Sequence, residues 1–515
     1  MRNKSKKYFF YLRFFLIATL CLVLLYVSQH LLINASFSQL AKGNYKVAGV
    51  IASVNKVVLA AFPNSKSSKD FLEKNLQAQM EVAQAFLLAD VSINSLERGH
   101  KIDKSTLAKI ENHLYRAYLA LGFASSHINA LSNFQKFFLG TYSKEETLES
   151  FRSKFYKLSR FSSAFPELLG YEGQKKYLVL FEDSEYLMPG GAKISKAYLL
   201  TLKEGTVVDT REISLDEKSQ MPLQIEKFDA HFSLEEASMG VSNINPDFPL
   251  SSENVLFLAG ALLNEKADGL ISLNLSSEEI REYTEKKQKT FTFAKILDLL
   301  GQKRLRLFST EEHIYSFLND IDITGEIKPL ECFSKCYRDI FGLNETSKNS
   351  QKDILREAHL SVFFEEGVIK SQAVIVIENT GENAYKGYFQ IIAPEHVGFS
   401  QVHEYSKKSS RVLKPQVSGY DGFKSAGIFT EILPKDSTAL VFSWEGGPYS
   451  QEDLKEYTLK LISQSGAGKN KISIRFKSSS ELFIPQGGGF GLTQSGELRY
   501  NSNLVNDKDI RIFVK

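Results

Sequence analysis

The chain has 515 residues, 43% apolar and 24% charged, enough for about three folded units with real cores and too apolar for a disordered chain. Five of the 63 basic residues lie in the first 13 positions, which leaves 58 against 60 acids and a net charge near −2 for the remainder. Nucleic-acid binding needs clustered Lys and Arg to displace counterions, so this balance speaks against it.

From Phe14 to Ile33 the run FFLIATLCLVLLYVSQHLLI carries no formal charge. At ~1.5 Å per residue, about 20 residues span the ~30 Å hydrocarbon layer, so residues 14–33 are expected to form a transmembrane helix. Arg2, Lys4, Lys6, Lys7 and Arg13 precede it without an acid. The positive-inside rule then holds residues 1–13 in the cytoplasm as a basic tail and directs the rest outward. A cleaved signal peptide would have a shorter apolar run and a small-residue cleavage site, so a retained single-pass anchor in the cell membrane is expected.

Residues 34–170 read as a helical stalk or bundle. Leu72, Leu76, Met80, Ala83, Leu87 and Val91 recur at helical spacing, as do Leu107, Ile110, Leu114, Ala117 and Leu121, and then Leu148, Phe151, Phe155, Leu158 and Phe165. Ser143 with Glu146 has the spacing of a capping box, and Pro166 should end or bend the last run.

Residues 171–345 read as an α/β domain. Tyr177–Phe181 is a continuous apolar run, expected to be a strand buried on both faces. The acidic loop EDSEYLMPGG should follow, with Gly190 and Gly191 supplying positive φ for its turn. Lys203-Glu204-Gly205 should close a hairpin, GLISL (269–273) should form another strand, and Ser276 with Glu279 should cap the helix after it.

Residues 346–356 read as a polar linker, and two-residue alternation then predicts a β-sandwich of immunoglobulin type over 357–515. The fold class expected is therefore multidomain α+β. Cys332 and Cys336 are the only cysteines beyond the anchor, and in an oxidising exterior they are a candidate disulfide.

Chemistry-bearing motifs are sparse. GAGK (466–469) lacks the first glycine and the Ser or Thr of a phosphate loop, so it reads as a hairpin tip. No HExxH or GxSxG is present. Glu182, Asp183 and Glu185 lie past an inner strand, where open α/β sheets bind ligands, and grouped carboxylates there are a candidate divalent-cation site. A solvated loop explains the same residues.

At these residues the chain resembles a bacterial extracytoplasmic family catalogued as a domain of unknown function, number four thousand and twelve. The family pattern is a strand, an Asn-Asn-x-Glu-x-Arg-x-x-Gly-Gly loop and a second strand. YLVLFEDSEYLMPGG keeps Glu185, Gly190 and Gly191 of it, with Glu182 and Asp183 at the Asn positions and Leu187 at the Arg position. NPDFP (245–249), ADGLISLN (267–274), EEHIYSFLND (311–320), TGEI (324–327) and YTLKLISQSGAG (457–468) follow in the family's order. A more distant similarity, over VLFEDSEYLMPGGAKISKAYLL and DGLISLN, is to the LytR-CpsA-Psr enzymes, which transfer lipid-phosphate-linked glycopolymers to the cell wall. That resemblance implies Glu185, Asp247 and Asp268 as catalytic candidates and a divalent cation as cofactor; without it no cofactor is expected. The expected function is that of an envelope protein that binds or scaffolds rather than catalyses; by fold analogy alone, the sandwich would contact a wall glycan or a protein partner through its loops.

Overall fold

The structure is a computed structural model that describes residues 31–40, 42–60, 65–215, 239–285, 291–332, 335–347, 349–365, 367–407, 409–446, 454–468, 470–478, 482–484, 490–493 and 497–514. The basic tail 1–13 and the expected membrane span 14–33 lie outside these residues, save for 31–33. Among the described residues no helix is long and apolar enough to cross a membrane. The protein is a mixed α+β chain in two compact units.

The first unit joins residues up to 174 with two short insertions, 202–208 and 290–296. Residues 31–40 are helical, followed by α1 (Tyr45–Ala60), α2 (Lys66–Glu97), α3 (Lys104–Ser126), α4 (Asn133–Leu139), α5 (Glu145–Ser163) and the single turn α6 (Phe165–Leu168). In chain order, α2 packs on α1 and α3, and α3 packs on α5. The stripe expected on α3 is buried in full. On α2 the buried face is rotated: Phe71, Leu72, Leu76, Val82, Ala83 and Phe86 are inside, and Val91 is exposed. The capping box expected at Ser143 does not form. Lys144 is the N-cap of α5, and Ser143 Oγ instead donates to the carbonyls of Lys136 and Gly140. A capping box does occur at Ser132 and Gln135, where both reciprocal bonds are made. The run is interrupted ahead of Pro166, as expected: α5 ends at Ser163, and Pro166 lies in the first turn of α6.

The second unit contains three sheets. The first has the order β3-β2-β1-β4-β5, from β1 (Lys175–Met188), β2 (Gly191–Lys203), β3 (Thr206–Ile213), β4 (Gly269–Leu275) and β5 (Leu305–Ser309). β1 and β4 run parallel, with Tyr177 beside Gly269 and Glu182 beside Asn274. The helix α7 (Phe248–Leu263) supplies Phe248, Val255 and Leu258 to the core over Leu178, Leu180 and Leu270. Helices α8 (Ser277–Thr284), α9 (Phe293–Gly301) and α10 (Glu312–Asp320) complete the α/β part. The capping box expected at Ser276 and Glu279 is present on α8. Glu204 and Gly205, both at positive φ, form the two-residue turn between β2 and β3.

The acidic loop expected after Phe181 is instead strand. β1 continues through Met188, and only Pro189 and Gly190 separate it from β2. Its acids sit within the strand because each finds a partner distant in sequence: Glu182 in Arg306, Asp183 in Ser277 and Glu185 in Lys352.

The other two sheets are built from β6 (Cys336–Ser347), β7 (Ile354–Glu365), β8 (Val368–Asn379), β9 (Tyr385–Pro394), β10 (Gly398–Ser406), β11 (Ser410–Leu413), β12 (Gln416–Tyr420), β13 (Phe423–Ile432), β14 (Asp436–Glu445), β15 (Glu456–Ile462), β16 (Asn470–Ser478), β17 (Leu482–Phe483), β18 (Phe490–Leu492), β19 (Leu498–Leu504) and β20 (Lys508–Val514). Eight strands take the order β11-β10-β14-β8-β7-β16-β19-β18 and seven the order β12-β13-β9-β6-β15-β20-β17. One apolar cluster draws on both sheets, with Phe389, Tyr457 and Ile512 from the seven-stranded sheet and Ile375, Phe442 and Phe476 from the eight-stranded one. Parallel pairs β6–β15 and β7–β16 tie the first part of this region to its C-terminal strands.

The first strand of these sheets begins at Cys336, not at 357. β6 escapes an alternation reading because Asp339–Ser347 is buried on both faces. β6 and the segment after β15 hold the end of β1: Leu187 N donates to Ser347 Oγ at 3.1 Å, Asn344 Nδ2 to Pro189 O at 3.0 Å, and Gln464 Nε2 to Met188 O at 2.9 Å. The expected linker 346–356 accordingly holds the end of β6 and the start of β7. GAGK is not a hairpin tip. Residues 463–468 lead from β15 in one sheet to β16 in the other, with Gly466 and Gly468 at positive φ, and Lys469 lies outside the described residues. Cys332 and Cys336 are bridged.

Candidate functional site

Each acid singled out in the sequence has a definite place. Glu182, fully buried in β1, accepts from Arg306 Nη2 at 3.0 and 3.3 Å, from Ala192 N at 3.3 Å and from Asn243 Nδ2 at 3.4 Å. Burial pushes its carboxyl upward against the pull of the Arg306 guanidinium. Arg306 comes from β5 and was not legible as a partner, because β5 reaches β1 only through β4. Asp183 accepts from Glu185 N at 3.0 Å and from Ser277 Oγ, at the start of α8, at 2.6 Å. Glu185 pairs with Lys352 Nζ at 2.9 Å. The three acids of the candidate cation site therefore turn to three different partners.

Glu185 and Lys352 border one cleft, of about 470 Å³, whose walls also include Ser184, Ser276 and Gly466–Gly468. Gln351 closes its inner edge by donating to the carbonyls of Ser184 and Gly466. Two of the resemblance segments, EDSE and SQSGAG, meet here at the C-terminal ends of the parallel strands.

Asp268 is at the opposite end of the same strands, accepting from Lys176 N at 2.6 Å. Lys176 and Glu185 are nine residues apart along β1, roughly 30 Å at the rise of a strand. Asp247 belongs to a third place. It caps α7 through a 3.1 Å bond from Leu250 N, and its other oxygen accepts from Ile327 N at 2.7 Å. The catalytic candidates Glu185, Asp247 and Asp268 do not share a cleft.

Asp247 does open onto the larger cleft, of about 560 Å³. NPDFP contributes Asp247 and Pro249, EEHIYSFLND contributes Glu312 and Tyr315, and TGEI contributes Glu326 and Ile327. Glu253 and Asp421 bring the carboxylates to five, over Phe308, Tyr315 and Phe423, and no Lys, Arg or His lines it among the described residues. Burial raises Asp247 to about 6, opposed by the two backbone N–H bonds. Burial and the neighbouring Glu326, Asp247 and Glu253 likewise raise the Tyr315 hydroxyl. Such a surface is matched to a ligand that carries positive charge on an apolar frame. Asp421 and Phe423 come from the β12–β13 turn, a contribution no local motif announced.

The turn glycines serve by size as well as by φ. Gly191 has φ 144°, and a Cβ there would collide with Arg306 Nη2 and Glu182 Oε2. Gly190 is not at positive φ. A Cβ on it would meet Ser251 Oγ and the carbonyls of Asn243 and Asn245.

No family model matches the chain, and no curated protein matches it. Among solved structures, a Legionella pneumophila chain carrying the provisional description of a nutrient binding protein is similar at 9% identity and a TM-score of 0.26, over 34% of this chain and 71% of that one.

Proposed function

We propose that the protein is a single-pass envelope protein of the cell membrane, with residues 14–33 in the bilayer, its amino terminus in the cytoplasm and its folded units outside. In this reading it binds or scaffolds a partner, a wall glycan or an envelope protein, and the paired sheets act as an immunoglobulin-like sandwich presenting loops. The observation that carries the binding reading is the acidic cleft, where three resemblance segments, Glu253 of α7 and the β12–β13 turn gather five carboxylates with no basic side chain in the lining among the described residues. The partner face that fits it presents amines or guanidinium groups. The transferase implied by the second resemblance needs its acids around one phosphate, and the separation of Glu185, Asp247 and Asp268 favours binding over it.

The test is photocrosslinking in intact cells from position 250, which lies on the cleft wall, using the full-length chain. A partner adduct is expected there, and it should disappear in the Glu253→Lys, Asp421→Lys double variant. An adduct that survives both reversals would remove the cleft from the binding role. A tag at Lys515 shielded from external protease in cells with an opened wall would overturn the outward orientation.

A further inference from the structure

We propose that α1 lies on the outer surface of an anionic lipid bilayer, its valine stripe facing the lipid. The inference rests on the membrane-anchored reading above and adds a second contact to it.

α1 buries Tyr45, Ala48, Ala52, Asn55 and Leu59. On its other side Val47, Val50, Val54 and Val57 are 49%, 62%, 50% and 73% exposed. At about 100° per residue these four fall within a sector of roughly 80°, opposite the buried face. A helix of a soluble unit normally carries polar residues there. Here the exposed face is apolar, and the exposed Lys46, Ser53 and Lys56 lie along one side of it.

Charge identifies the kind of surface that fits. The first acidic residue of the chain is Asp70; the 69 residues before it hold ten Lys and Arg and no Asp or Glu. An apolar stripe whose only charged neighbours on the helix are lysines suits the boundary between acyl chains and anionic headgroups.

The path of the chain brings the stripe toward that boundary. Gly43, at φ 77°, turns the chain after helix 31–40, with Gly43 N bonded to Leu40 O and Asn44 N to Gln39 O. Ser36 Oγ then donates to Ala48 O at 3.0 Å, so α1 folds back along helix 31–40. Taking that bond as a level mark and ~1.5 Å per residue, Ile33 lies about 4.5 Å and Val57 about 13 Å further in the same direction. The level of Ile33, where the uncharged run Phe14–Ile33 ends, is thus reached at about Ile51, and Val54 and Val57 lie about 4.5 and 9 Å past it on the side of that run. A second copy is the other apolar occupant. The 3-4-3 spacing resembles a coiled-coil seam, but it lasts only about two heptads and brings like charges together, with no acid on α1 to offset them.

The test uses the full-length chain in vesicles of phosphatidylcholine and phosphatidylglycerol whose acyl chains are brominated. Tryptophan placed by Val54→Trp or Val57→Trp should lose at least half its added emission relative to unbrominated vesicles. The buried Trp444 gives a constant background, and Leu492→Trp should be unaffected. As a check that needs no substitution, a diazirine lipid should label the wild-type chain within residues 45–60. No quenching at 54 and 57 and no label in 45–60, in a chain that still floats with the vesicles, overturns this inference and leaves the anchor standing. A chain that does not float overturns the anchor itself. A Val54→Cys variant that crosslinks to a second copy at the expense of lipid labelling assigns the face to self-association and also overturns the inference.

Discussion

Glu182 and Arg306 form an ion pair sealed from water: Nη2 lies 3.0 Å from Oε2, with side-chain exposures of 0% and 6%. The guanidinium also lies over the Phe248 ring, 4.1 Å from its centroid. One strand of the α/β sheet, another two places away and the first turn of α7 are thereby held to a single charge pair.

Removing one member leaves the other buried and unpaired, a loss of about 3–5 kcal/mol in comparable sites. Glu182→Ala and Arg306→Ala are each expected to destabilise the second unit by that order, measured by urea unfolding of the full chain. The double variant Glu182→Leu, Arg306→Leu should lose clearly less than the two single losses together. Additive losses would mean that the pair is not coupled.

The glycine beside this pair is the next point of sensitivity. A methyl group at Gly191 meets both charged side chains and also disfavours its φ of 144°. Gly191→Ala is expected to cost about 2–3 kcal/mol, in the range of overpacked interiors. Equal melting temperatures for variant and wild type would show that the contact relaxes freely.

How much of this was legible in sequence depends on whether a residue's environment is local. The α3 stripe and the Ser276–Glu279 capping box are set by residues three and four apart, and both are where their spacing places them. EDSE failed as a loop because strand β1 satisfies its acids through Arg306, Ser277 and Lys352, residues between 94 and 167 positions away. β6 failed for a related reason: a strand buried on both faces has no alternation to read. The acidic cleft draws on segments from Asp247 to Phe423, and the resemblance segments marked most of its wall without indicating that they meet.

The acids named in the sequence should separate by role. Glu185 is paired to Lys352, whose side chain is 70% exposed, and exposed pairs contribute little. Glu185→Ala is expected to change stability by less than about 0.5 kcal/mol. Asp247→Ala removes a helix cap and the bond to Ile327 N, for an expected loss of about 1–2 kcal/mol. Thermal unfolding of both variants checks the order, and the reverse order would contradict the placement of these side chains.

The last expectation concerns pH. Asp339, 1% exposed in β6, accepts from Tyr457 OH at 2.7 Å and from Ile340 N at 2.8 Å. Burial raises its carboxyl from 3.8 to about 7, and Asp247 rises in the same direction to about 6. A raised folded value means that the folded chain holds the proton more tightly than the unfolded one. The stabilisation is complete below about pH 3.8 and is lost as pH climbs through 7. For Asp339 the whole span is worth up to about 4 kcal/mol. His396 works against it below pH 6.5, because burial and Lys424 hold its imidazole neutral in the folded state. Between pH 8 and pH 6.5 the carboxyls act without that opposition, so the second unit should become more stable as the solution is acidified over this window. Asp339→Asn keeps an acceptor for Tyr457 and cannot titrate. Unfolding midpoints taken at pH 8, 7.5, 7 and 6.5 should rise in the wild-type chain and stay nearly level in the variant. Parallel curves for the two chains would mean that Asp339 is ionised throughout and that its burial is relieved by water.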